Sequence, residues 1–212
     1  GKLKNNQNTI GVNYKHIWSN RAYTNTSISN STKQSDAHFL NINSRETVFN
    51  IVENTNVKNI RQVNHLKLGP ASKMEFGFDA EINDTDYNYY RKLPESSIFV
   101  NEIQFDRLIT TKNYSAFITL KKNLFSRMIF SAGVRLDQND YEKVNLLSPR
   151  MNLDYELVRG KTNLIINSGL YHQNPPAIYI ANNASKKLKS VKALQHSISL
   201  EHMLTPSTKL SL

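Results

Sequence analysis

Residues 73–82 read KMEFGFDAEI, and their alternation decides the fold class. Met74, Phe76, Phe78, Ala80 and Ile82 fall on one side of an extended chain, and Lys73, Glu75, Gly77, Asp79 and Glu81 on the other. Successive side chains of a strand point to opposite faces, so this segment is a β-strand with one apolar and one polar face. The period recurs downstream. In 127–137, Met128, Phe130, Ala132, Val134 and Leu136 share a face, with Ile129 out of phase. In 150–157, Met151, Leu153, Tyr155 and Leu157 oppose Arg150, Asn152, Asp154 and Glu156. Leu164, Ile166 and Leu170 alternate with polar residues in 161–171, as do Leu194, Ile198 and Leu200 in 193–201. The pattern is looser in 9–18 and 114–121, and weakest in 21–30 and 58–68.

The connections alternate as well. Ser19-Asn20, Gly69–Ser72, Asn123–Phe125, Arg159-Gly160 and Thr205–Ser207 read as tight turns. Between these hairpins lie polar stretches at 31–57, 84–112, 138–148 and 172–191, which read as long loops. In an up-and-down meander the tight turns then gather at one end and the long loops at the other. Ten strands in five hairpins, each strand about ten residues long, describe an antiparallel transmembrane β-barrel with its apolar face toward lipid. A soluble β-sandwich or a small complete barrel alternates in the same way and stays open at this point. His16, His196 and His202, together with Gln62 and Asn64, fall on the nominal lipid face. Trp18, Tyr14, Phe125 and Tyr155 suggest an interrupted aromatic girdle.

Composition narrows the classes. The chain has 212 residues, 27 Lys and Arg against 17 Asp and Glu, and 39% apolar residues. Its pI is about 9.7 and its mean hydropathy −0.52. No apolar run approaches the roughly 20 residues of a membrane-spanning helix. The absence of cysteine excludes disulfides, thiol catalysis and Cys-type zinc sites. The first residues, GKLKNNQNTIG, lack the apolar core of a signal peptide. The 27 Asn, 20 Ser and 13 Thr argue against a helical bundle and favour turns. Sequons at Asn25, Asn30, Asn83, Asn113 and Asn183 follow from that composition and are not read as glycan sites.

SAGVRLDQND (131–140) followed by LLSPRMNLDYEL (146–157) resembles the strand–loop–strand of TonB-dependent outer-membrane receptors, where a G-x-R-x-D strand end precedes an S-P-R strand start. INSGLYHQNPPAIYIAN (166–182) is similar to the next strand, running into a P-P loop. LKSVKALQHSISLEHMLTPSTKLSL (188–212) resembles the hairpin after that, with Ser190 where the family often has proline. Residues 65–82 and 115–137 also resemble family hairpins, and the likeness extends from about residue 7 to 212. The resemblance implies a 22-strand-type barrel plugged by a globular domain, importing a scarce nutrient with energy passed through TonB. Siderophore-iron, haem, cobalamin and oligosaccharide ligands all suit it. It implies residues 1–212 to be a partial barrel domain without plug or signal peptide, in the bacterial outer membrane, with no enzyme activity and no cofactor. Its partners would be outer-membrane lipid and lipopolysaccharide, TonB through a plug domain, a small-molecule or glycan ligand, and a surface lipoprotein where one caps the mouth.

Candidate ligand contacts are the aromatic and polar residues of the expected loops and rim. These are Tyr87, Tyr89 and Tyr90 in DTDYNYYRK, Tyr141, and Tyr171, His172, Gln173, Asn174 and Tyr179 around the Pro175-Pro176 bend. Tyrosine joins a large stacking surface to a polar tip, which suits sugars, flat chelates and aromatic ligands. Lys186, Lys187, Lys189 and Lys192 read as a solvated loop rather than a nucleic-acid site, because the other cations form no stripe. Asp137, Asn139, Asp140 and Glu142 lack the glycine bend and late bidentate Glu of a calcium loop, and no metal is assigned. The histidines stand singly, without zinc spacing. There is no G-x-S-x-G or S-x-x-K. Asp84, Asp86 and His172 would lie at the mouth of a barrel hydrolase, an alternative with no pairing signal in the sequence.

Overall fold

The computed structural model describes residues 1–92, 102–181 and 188–212. Strands β1 (Lys2–Ser19), β2 (Ala22–Leu40), β3 (Thr47–Gly69), β4 (Ser72–Lys92) and β5 (Glu102–Leu124) are followed by β6 (Met128–Asn139), β7 (Asn145–Val158) and β8 (Thr162–Gln173). A five-residue helix, α1 (Ala177–Ala181), then precedes β9 (Val191–Thr205) and β10 (Thr208–Ser211). The strands form one antiparallel sheet in chain order, the up-and-down arrangement that the alternating turns require. All five expected tight turns are present. Gly160 adopts φ 70° in one of them, a conformation glycine reaches without a Cβ clash.

The register assembles the apolar positions into a belt. Val12, Ile28, Ile60, Ala80 and Tyr114 lie side by side across β1–β5. Phe130, Leu153, Ile166 and Ile198 continue the same face across β6–β9. On β4 the belt runs from Met74 to Ile82 and on β7 from Leu147 to Tyr155. These lengths match the nine to eleven residues, roughly, that a tilted strand needs to cross a bilayer. Many belt side chains are exposed, among them Ile10, Val12, Phe78, Met151 and Ile198. That exposure is what a lipid-facing surface presents.

Several polar residues on this face are satisfied near its edge, whereas Asn30 Oδ1 has no partner among the described residues. The Trp18 indole N–H donates to Thr24 Oγ1 (2.8 Å), which donates to Asn64 Oδ1 (2.7 Å). Asn64 also donates to the Phe76 carbonyl, and Gln62 donates to Asn64. His16 contacts Tyr14 and Trp18, and His202 bonds the Thr162 hydroxyl. A hydrogen-bonded chain beside the tight turns costs far less in lipid than bare polar atoms do.

The opposite, polar face carries Arg61, Asp79, Ser115 and Arg135. Arg135 bridges Asp137 (2.7 Å) and Ser115 (2.6 Å), and Asn59 donates to Asp79 (2.7 Å). On this face a Cβ at Gly77 would run into the Gln62 carbonyl, and one at Gly133 would lie 2.6 Å from Thr119 Oγ1. Glycine here lets neighbouring backbone approach closely, as a strongly bent sheet requires.

The expectation of ten-residue strands and four long loops is corrected. The stretch 31–57 is strand except for a turn at 41–46, and 138–148 reduces to a turn at 140–144. Strand also fills 84–92 and 102–112, while 93–101 lie outside the described residues. Only 174–190 is a long connection among the described ones. β3 and β5 each have 23 residues, so about ten residues project beyond the belt, roughly 25 Å after tilt. Part of the Asn, Ser and Thr read as turn formers sits in these extensions, bonded side chain to side chain across strands. Examples are Thr9–Ser31 (2.8 Å), Ser35–Asn5 (2.7 Å) and Thr110–Asp84 (2.7 Å).

Candidate functional site

The extensions change character just above the belt. Within it, the even-numbered residues of β4 and β5 are apolar and face outward, as do Ile60 and Leu66 on β3, where Gln62 and Asn64 are the exceptions. Beyond the row Asn30–Lys58–Ile82–Lys112 most even positions become polar, as at Asn56 and Asn54, Asp84, Asp86 and Asn88, Thr110 and Asp106, while Val48, Val52 and Leu108 stay apolar. The apolar residues move to odd positions, Val57, Ile51 and Phe49 on β3, Tyr87 and Tyr89 on β4, Ile109, Phe105 and Ile103 on β5. The register is unbroken through this region, so the apolar side itself has switched from the outer to the inner face.

The inner face of the extension therefore carries an aromatic strip. Phe39 and Phe49 lie 5.9 Å apart between ring centroids, Phe49 meets Tyr89 edge to face at 5.7 Å, and Tyr89 stacks on Phe105 at 4.9 Å. Such pairs contribute about 0.5–1.5 kcal/mol each beyond their area. Phe39 is 41% exposed, and the other three are half-buried. Below the strip, Thr85 and Tyr87 are buried on the same face, where α1 packs against β4 and β5. Burial pushes the Tyr87 phenol up to about 12, and the facing Glu53 carboxylate adds to the shift, so Tyr87 keeps its proton at neutral pH.

The α1 connection is pinned by a polar clamp. Asn174 Oδ1 accepts from Asn139 Nδ2 (3.0 Å) and from the Ser190 hydroxyl (3.2 Å), while Asn174 Nδ2 donates to Asn113 Oδ1 (2.9 Å). Ser190 donates its N–H to Glu142 and shares its one hydroxyl proton between Glu142, the nearer acceptor, and Asn174, and Glu142 donates its N–H to Asn139. The Ser190 hydroxyl, foremost, holds the Glu142 carboxyl below its ordinary range. Proline at 190 could make neither bond.

The expected site residues separate into groups. Tyr89 is at the centre of the strip. Tyr87 is beneath it, buried, and Tyr90 is on the opposite, outer face; all three lie on β4 and not in a loop. Tyr141 lies in the β6–β7 turn. Tyr171 lies on β8 with the Arg150 guanidinium 4.5 Å over its ring. His172 is bonded to Ser148 (3.0 Å), Gln173 ends β8 exposed, and Asn174 is the clamp. Tyr179, on α1, is 58% exposed. Phe39, Phe49 and Phe105 were missed by sequence reasoning, although the alternation Phe49, Ile51 and Ile103, Phe105, Ile109 was readable.

Other chemistry is weakly supported. Ser148 and His172 form a serine–histidine pair, but Ser148 is 1% exposed and no carboxylate bonds His172 among the described residues. Asp84 faces outward, bonded to Thr110. Asp137, Asp140 and Glu142 are engaged by Arg135, the Lys112 N–H and Ser190. No group of three metal-ligating acids or histidines converges among the described residues. Lys186, Lys187 and Asn183 lie outside them.

Comparison with known proteins adds to this geometry. The family model described as "TonB dependent receptor-like, beta-barrel" matches residues 1–212. Among solved structures, "Copper transporter OprC" superposes with TM-score 0.71 at 14% identity, over 93% of this chain and 36% of its own. A single-residue mutant of the ferric enterobactin receptor PfeA from Pseudomonas aeruginosa gives TM-score 0.70 at 12% identity, over 95% and 33%. The outer membrane transporter YddB from Escherichia coli gives 0.67 at 11%, over 96% and 32%. The chain thus spans about a third of the length of these structures. No curated protein matches it in sequence.

Proposed function

This chain belongs to the TonB-dependent receptor-like β-barrel family, and on that premise we propose that it is the middle part of an outer-membrane uptake receptor. The inner aromatic strip, raised above the lipid belt on β2–β5, is the observation that supports ligand capture at the extracellular mouth. Phe39, Phe49, Tyr89 and Phe105 offer aromatic surface to a small molecule or glycan, with the exposed Tyr179 on α1, which packs against β4 and β5. The role is transport and binding rather than catalysis. β1 and β10 leave two sheet edges, and unpaired edge groups are strongly unfavourable in lipid. Strands carried elsewhere in the receptor polypeptide complete the barrel, and a plug domain occupies its lumen and engages TonB. Lipopolysaccharide surrounds the belt, and a surface lipoprotein is a further partner at the mouth.

The test is the intact mass of the native polypeptide in a purified outer membrane, joined to a comparison of solute uptake in strains with and without the receptor and TonB. A mass several times 24.3 kDa and a receptor-dependent uptake lost without TonB are expected. A native mass near 24.3 kDa, or uptake indifferent to TonB, would overturn the proposal.

A further inference from the structure

The outward face of β1–β5 carries a hollow of about 820 Å³ at the end of the belt away from the tight turns. Its floor is the row Val12–Ile28–Ile60–Ala80–Tyr114. Ala80, a single methyl group between Ile60 and Tyr114, leaves the floor low at that point. The next row forms the rim, with Asn30 and Lys58 on it and Lys112 just outside. Lys58 and Lys112 stand on either side of Ile82, two strand spacings or roughly 10 Å apart along the sheet. Both are exposed, and neither forms an ion pair among the described residues. The nearby carboxylates are engaged elsewhere. Asp84, diagonal to both lysines, is bonded to Thr110 Oγ1 at 2.7 Å, and Asp140 accepts the Lys112 backbone N–H.

A second hollow, of about 320 Å³, lies farther out along the same strands. Asn8, Thr32 and Asn56 form one of its rows and Asn6, Gln34 and Asn54 the next, all at the outward parity of Ile10, Ile28 and Ile60. Amide side chains offer donors and acceptors together, which suits sugar hydroxyls. Along one wall the chemistry therefore runs from an apolar hollow, through two ammonium groups, to a hollow lined by amides. That order matches an acyl chain, an anionic group and a hydroxyl-rich head. A water-soluble anion would leave the apolar hollow empty. A glycerophospholipid would fill it and meet the lysines, but the amide hollow extends to Asn54, roughly 13 Å beyond Lys58 along β3. We infer that this wall holds one phosphorylated saccharolipid of the outer leaflet in a fixed place, with an acyl chain over Ala80, a phosphate at Lys58 and Lys112, and sugar hydroxyls on the amides. The inference rests on the receptor reading above, in which lipopolysaccharide surrounds the belt, and adds a discrete site with named contacts.

Native mass spectrometry of the purified full-length receptor, delipidated in detergent and titrated with bisphosphorylated lipid A, tests it. One tightly retained copy per receptor is expected before any further copies add. Ala80→Phe fills the hollow with an equally apolar side chain, and Lys58→Gln combined with Lys112→Gln removes both charges. Each should weaken the first copy about tenfold or more. Ala132→Phe, in the belt of β6, and Lys192→Gln, opposite His172 at the upper end of β9, lie outside the hollow and should change it by less than about twofold. Heat-modifiable gel mobility identifies the variants whose barrels are assembled. Equal retention in all assembled variants, or gradual addition of many copies with no tight first one, would show annular lipid only and overturn the inference. Phosphatidylglycerol retained as tightly as lipid A would overturn it in favour of a phospholipid site. The adduct is read on the assembled barrel without transport, so TonB-dependence of uptake, measured in the same strain, separates this failure from failure of the receptor reading.

Discussion

Replacing Asn174 with alanine should release the α1 connection from the inner wall while leaving the barrel strands intact. The side chain makes three hydrogen bonds, to Asn139, Asn113 and Ser190. Each contributes about 0.5–1.5 kcal/mol net. Asn139 is only 4% exposed, so its stranded amide adds a desolvation cost of about 1–3 kcal/mol unless the loop moves and admits water. The three bonds alone favour opening by roughly 1.5–4.5 kcal/mol, equivalent to a rise of about 10- to 2,000-fold in the open population. Hydrogen exchange on the full-length receptor in detergent should show that rise at α1 and at Ser190, whose N–H is bonded to Glu142. Peptides from β8 should be unchanged. Asn174→Asp keeps the acceptor and loses the donor to Asn113, so it should give a smaller effect, about tenfold. Unchanged exchange at α1 would refute the clamp, and loss of protection throughout β6–β8 would show a general destabilisation instead.

Three further outcomes follow from the same geometry. Tyr89→Ala, on the inner strip, should weaken ligand uptake about tenfold or more, whereas Tyr90→Ala, on the outer face, should stay within about twofold; equal effects in a concentration-dependent uptake assay would count against the strip as the site. Phe78→Arg, at the centre of the β4 belt, should destabilise the assembled barrel by about 2–4 kcal/mol, while Asn88→Arg, above the belt on the same face, should be near neutral, both read from heat-modifiable gel mobility. Glu142 has a folded-state pKa below its ordinary value of 4.5, so its contribution is present above that value and is lost as pH falls through the lower folded one. Limited proteolysis at the α1 connection should therefore accelerate as the pH falls below the ordinary carboxyl value of 4.5, and Glu142→Gln should remove that pH dependence.

The clamp and the strip differ in how far the sequence disclosed them. Tyr89 and Asn174 were picked out by residue type, but their roles were not separable. Only pairing shows one ring stacked on Phe105 and the other side chain bonded to three elements. Tyr89 and Tyr90 are neighbours in sequence, and strand geometry sends them to opposite faces. Ser190, a departure from the family resemblance, gains its meaning from Glu142, 48 residues away.

By itself the sequence determined the antiparallel meander, the five tight turns and the belt of β4, β6, β7, β8 and β9. Lipid on one side and a polar lumen on the other force period-two contrast onto every residue of a crossing strand, and that contrast is legible one strand at a time. Tertiary structure alone decided how far β2–β5 extend, where the apolar side inverts and which lysines share a row. Above the belt water lies outside and the aromatic strip lies within, so the apolar positions change parity along the same strand and the single-phase contrast that marks a crossing strand is lost. Extension there is fixed by the hydrogen-bond ladder to a neighbour. A row such as Lys58–Ile82–Lys112 exists only once the register between three strands is set.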